Sequence, residues 1–235
     1  MRLSDFEPEV LSFQVDYPFA NWLWDRAGQV WERLAAAFPG IEVTVAAPGN
    51  IGGVHDRFEF AVEIKKAFLL LHRPVADEVE SFGRVCRAFV ESVATTLDIQ
   101  QLDRVGHRVA FTRSYPTLPD ATRDLSNLNL VTVPTSANFG LKDPKTWSLE
   151  YAATQRGQST GTTVRIKSDE RKVELKPPPS MGEVPPQEWK TPRIAVDCDF
   201  FTCAPLLKSQ FDANAWVTSA GRVMRRDIKR FLGDA

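Results

Sequence analysis

The sequence predicts an α+β protein: a largely antiparallel sheet with long helices packed on one of its faces. Three observations carry that expectation. Most apolar runs alternate with polar residues, the pattern of a strand buried on one face, whereas parallel strands covered on both faces read as unbroken apolar runs. Three long segments instead repeat their apolar positions every three or four residues, as a surface helix does. The order strand, helix, several strands, long helix then occurs twice along the chain.

In chain order, EVLSFQVDY is the first strand, with Leu11, Phe13, Val15 and Tyr17 alternating with Ser12, Gln14 and Asp16. ANWLWDRAGQVWERLAAAF is a helix whose stripe is Leu23, Ala27, Val30, Trp31, Leu34 and Phe38, with Asn21 as N-cap and Pro39–Gly40 as the stop. IEVTVAA is a strand and PGNIGG a hairpin loop. RFEFAVEI and AFLLLHR, with Lys65 and Lys66 at the turn between them, complete a three-stranded antiparallel meander. DEVESFGRVCRAFVESVATTL buries Val79, Phe82, Cys86, Phe89, Val93 and Leu97, and its early Asp77, Glu78 and Glu80 suit the positive end of a helix dipole.

RVGHRVAFTRSY is the next strand, with Val105, His107, Val109 and Phe111 on one side, and LPDATRDLSNLNL is a short helix opened by Pro119 and Asp120. KTWSLEYAAT, GTTVRIKS and RKVELK are strands, the last two joined across Asp169 and Glu170. KPPPSMGEVPPQEWKTP, residues 176–192, holds six prolines in seventeen residues and predicts an extended excursion, because proline neither donates to a ladder nor continues a helix. RIAVDCDFF is the last strand and ANAWVTSAGRVMRRDIKRFL the last helix. The pattern divides into two βαβββα halves, 1–103 and 104–235, either as a duplication without residue-level repeat or as one continuous domain.

Composition narrows the function classes. With 29 basic and 30 acidic residues in 235, no global charge draws the chain to nucleic acid or to an anionic membrane surface. The longest uncharged apolar run, Ala67 to Leu71, falls far short of the roughly 20 residues a membrane span needs. Three cysteines and a polar start, MRLSDFEPEV, lead to the expectation of a reduced, cytoplasmic protein.

The strand IAVDCDFF followed by the helix FDANAWVTSAGRVMRRDIKRFL, with EVLSFQVDYP near the start and LDRVGHRVAF in the middle, resembles a sporadically distributed family of uncharacterised bacterial proteins. The resemblance implies a two-part α+β protein from a bacterium or phage. It implies no activity, cofactor or site residue.

The candidate chemistry is sparse. Asp197 and Asp199 lie at i and i+2 of a strand, so both side chains point to one face and could share a divalent cation. Plain strand alternation, the commoner cause of such spacing, places them on a wet surface instead, with Ile194, Val196, Cys198 and Phe200 facing the core and Ala195 and Phe201 facing out beside them. PGNIGG is followed by a strand, so it lacks the helix N-terminus that phosphate loops use, and no Gly-x-Ser-x-Gly turn is present. His55, His72 and His107 are scattered, and Cys198 and Cys203 lack further ligands near them in sequence.

Trp22 and Trp24 lie about 200° apart around their helix, so they cannot share a core, and Trp189 sits in the proline-rich stretch. Trp24 and Trp189 are therefore candidate partner-binding anchors, and Arg222 and Arg226 give the last helix a basic face. The function expected is non-catalytic: binding of a protein partner or self-association, with no cofactor. The alternatives are a metal-dependent enzyme on a phosphate-bearing substrate through Asp197 and Asp199, and a small-ligand protein with a mostly apolar pocket between helix and sheet.

Overall fold

The computed structural model describes residues 1–130, 148–175 and 187–234. The strands are β1 (Glu7–Asp16), β2 (Glu42–Ala47), β3 (Asn50–His55), β4 (Phe58–Glu63), β5 (Lys66–His72), β6 (Gln101–Leu102), β7 (Arg104–Ser114), β8 (Glu150–Arg156), β9 (Thr160–Leu175), β10 (Gln187–Thr202) and β11 (Leu206–Leu207). The helices are α1 (Leu23–Ala37), α2 (Ala76–Thr96), α3 (Leu118–Ser126) and α4 (Ala213–Leu232).

Among the described residues nine strands form one antiparallel sheet in the order β2-β3-β4-β5-β1-β7-β10-β9-β8, and β6 pairs with β11 apart from it. At the centre β1 meets β7, with Leu11 opposite Val109, Phe13 opposite His107 and Val15 opposite Val105. The strands of each half then descend outward, β5 to β2 on one side and β10 to β8 on the other. One sheet thus crosses the boundary at residue 103.

The helices lie on one face. Leu11, Phe13, Val15, Leu69, Val105, Ile194, Val196 and Cys198 are buried beneath them. The alternate residues Ser12, Gln14, Arg108, Asp197 and Asp199 turn to the other face. Burying an aromatic such as Phe82 or Phe89 contributes roughly 1.5–3 kcal/mol, so this face supplies most of the driving force. Helix α4 is fixed at both ends: Asp212 Oδ1 accepts from the Ala215 amide at 3.1 Å, and Gly233 adopts φ 70° past the last turn. Helices α2 and α4 cross closely at Gly83, where a Cβ would stand 2.6 Å from Asn214 Oδ1 and 2.9 Å from its carbonyl oxygen.

Five local expectations change. Asn21 does not cap α1, which starts at Leu23 without a side-chain cap. The meander has four strands, because only Pro48 and Gly49 turn and Asn50–Gly53 belong to β3. The glycines there make room for an aromatic ring: a Cβ on Gly53 would stand 2.6 Å from Phe60 Cζ. The Lys65–Lys66 turn shifts by one residue, since Lys66 opens β5.

No turn breaks the chain at Asp169 and Glu170, and β9 runs sixteen residues unbroken. Asp169 stays in the strand because Arg193 Nε and Lys167 Nζ hold its carboxylate at 2.8 and 2.7 Å.

The excursion expected over 176–192 is shorter at its end, because Gln187–Pro192 pair with Glu170–Leu175 as the outer part of β10. Residues 176–186 lie outside the described residues. Pro192 is tolerated because its carbonyl accepts from the Tyr115 amide at 2.8 Å, on the side away from β9. A strand residue presents N–H and C=O to the same side, so the missing N–H costs the β9 ladder nothing.

Candidate functional site

The acidic doublet lies on the open sheet face, and arginines hold it. Arg108 Nε donates to Asp197 Oδ1 at 2.6 Å, and Arg165 Nη1 stands 3.9 Å from Asp197 Oδ2. Arg104 Nη2 donates to Asp199 Oδ2 at 2.9 Å. Burial holds the Asp199 carboxyl above the usual carboxylate range; Arg104 opposes that shift and Asp197 adds to it.

The ionic ladder continues from Lys167 through Asp169 and Arg193 to Glu9, which also faces Arg171 at 3.0 Å. Nearby, Phe201 lies across Gly161, and the Arg104 guanidinium sits 4.9 Å over its ring. Among the described residues no three His, Cys, Asp or Glu side chains converge. A cation at the doublet would have to displace guanidinium groups already bonded there.

The aromatics are more accessible. Trp24 is 59% exposed, and its indole nitrogen borders the turn at Gly49. Trp189 is 49% exposed opposite Val173, itself exposed, on the part of β10 beyond the last β7 partner.

Phe19 and Trp22, 53% and 48% exposed, wall a surface groove of about 490 Å³ whose floor includes Ala20, Leu97 and Ile99. The carboxylates of Asp25 and Asp98 stand on its rim, and among the described residues neither has a cationic partner. Arg26 is engaged elsewhere: it lies 4.4 Å over the Trp22 ring and donates to the Thr96 carbonyl at 2.9 Å. The signal for this groove was legible in PFANWLW, where Phe19 and Trp22 fall outside the buried helical stripe. Its acidic rim joins residues 73 positions apart and was not.

A second cavity, of about 400 Å³, opens between α2 and α4 above β1 and β7. His107 lies at its base, 3% exposed. Its Nδ1 hydrogen-bonds the Ser12 carbonyl at 2.8 Å, so Nδ1 carries the proton and Nε2 is the free acceptor. Burial brings the imidazole pKa down to about 4, the Ser12 bond opposes the shift, and nearby Arg225 adds to it. Arg222 and Arg225 line this cavity, whereas Arg226 turns aside to Asp227 at 2.8 Å. Of the two arginines singled out on the last helix, Arg222 thus lines the cavity and Arg226 is paired with Asp227. His55 and His72 lie elsewhere, His72 beside Glu59 at 3.3 Å.

The sequence matches no family model and no curated protein, so the functional reading rests on this geometry. Among the described residues no helix is long and apolar enough to cross a membrane.

Proposed function

We propose that the protein is a non-catalytic binding protein that engages a protein partner through the groove walled by Phe19 and Trp22. The observation that carries the reading is the cluster of Phe19, Trp22 and Trp24, three large aromatics about half exposed within six residues, two of them walling one groove. Solvent-exposed aromatics of this size over an apolar floor are typical anchors of interfaces. The carboxylates of Asp25 and Asp98, neither of them in an ion pair among the described residues although Asp98 accepts from Gln100 Nε2 at 2.6 Å, favour a partner segment that inserts an apolar side chain flanked by lysine or arginine. The arginine partners of Asp197 and Asp199 speak against reading that doublet as a catalytic metal site.

The test is a photo-cross-linking residue placed at Phe19, identification of the captured protein, and titration calorimetry with the purified partner. Trp22→Ala should weaken binding about tenfold or more, the loss typical of a central anchor. Trp189→Ala should leave it unchanged. Equal affinities for wild type and Trp22→Ala would refute the assignment of the groove, and capture of the same chain would make the partner a second copy.

A further inference from the structure

The cavity between α2 and α4 is independent of the aromatic groove and has its own chemistry. Its base is His107, almost fully buried, with one ring nitrogen committed to the Ser12 carbonyl. The other nitrogen, Nε2, has no hydrogen-bond partner among the described residues and faces the space beside Gly221. A Cβ at Gly221 would stand 3.8 Å from Nε2, so the glycine leaves that approach open. The walls beside it are Val79 and Val217, and at the mouth stand Arg222 and Arg225, neither with an acidic partner among the described residues. A buried acceptor, apolar walls and two uncommitted guanidinium groups form a donor-and-acid pattern within one cleft.

We propose that this cleft binds a small monocarboxylic acid that carries a hydrogen-bond donor, its carboxylate on Arg222 and Arg225 and its donor on Nε2 of His107. An apolar body between the two groups contacts Val79 and Val217. Glu80 on the α2 side stands at the same opening and disfavours a second acid group, so a monoacid fits better than a diacid. Thr218 offers a further hydroxyl at the mouth.

The probe is 4-hydroxybenzoate, with benzoate lacking the donor and 4-hydroxybenzyl alcohol lacking the acid. Binding is read from the His107 imidazole resonances in carbon–proton NMR spectra of the full chain. The expected result is saturable movement of the His107 signals with 4-hydroxybenzoate, at least tenfold tighter than with either control. Gly221→Ala should abolish it by placing a methyl group before Nε2, while the variant stays folded and more heat-stable than wild type. Arg222→Ala combined with Arg225→Ala should erase the preference for the acid over the alcohol. No His107 response to 4-hydroxybenzoate at millimolar concentration overturns the proposal. So does a response that Gly221→Ala leaves intact, or equal affinity for all three probes.

Discussion

His107 makes the fold sensitive to acid in a way that can be calculated. Its folded pKa of about 4 lies below the ordinary value of 6.5 that it regains on unfolding. Between those values the unfolded chain binds more protons, so stability is full above the unfolded pKa and falls as pH drops toward the folded one. Over the whole window the loss is about 3 kcal/mol, and between about pH 7.5 and about pH 5.0 it is about 2 kcal/mol.

The narrower window is the better test, because model carboxylates titrate below it. The perturbation is His107→Gln, which removes the titration and keeps an amide that can donate toward Ser12. Urea unfolding followed by tryptophan fluorescence at both pH values gives the stabilities. The wild type should lose about 2 kcal/mol more than the variant between them. Equal losses would show that His107 is not held neutral by burial, and would refute the electrostatic account of the α2–α4 cleft.

Four further outcomes follow from packing, charge and burial. Gly28→Ala and Gly221→Ala should each stabilise the protein by about 0.5–1 kcal/mol in thermal or urea unfolding, because both lie inside helices and a methyl group meets nothing closer than 3.8 Å. Gly83→Ala should instead destabilise it by about 1–3 kcal/mol, since the new Cβ would overlap Asn214 at the α2–α4 crossing. Glu9→Gln should cost about 1–3 kcal/mol by weakening the hold on partly buried Arg193, whereas Glu91→Gln, which loosens an exposed pair with Arg87, should cost under about 0.5 kcal/mol. In the native protein a disulfide reagent should label Cys203 alone, because Cys86 and Cys198 are buried and burial raises both thiol pKa values, that of Cys198 to about 12. Denaturant should release all three.

The sequence by itself determined the type and buried face of the elements that carry a clear apolar period. Alternation in LSFQVDY and IAVDCDFF and the helical stripe of α2 are local statements of apolar periodicity, and the same residues form the core except Val79 and Phe200, which are only partly buried, while Phe201 on the other face is buried. It also placed Asp197 and Asp199 together on the outer face, because two residues in a strand share a side whatever their neighbours are. Glycines and prolines were less legible, since their meaning depends on what lies across from them. Gly53 serves Phe60, and Pro192 is harmless because of the side to which its backbone points.

Only the tertiary structure decided the partners. Arg104 and Arg108 meet the acidic doublet across nearly a hundred residues through the β7–β10 register, and Asp25 and Asp98 border one groove where the first turn of α1 comes beside the residues that follow α2. His107 reads in sequence as one more inward residue of a strand. Its free nitrogen, shifted pKa and arginine neighbours arise from the crossing of α2 and α4 above it, and a long-range contact of that kind leaves no period in the chain.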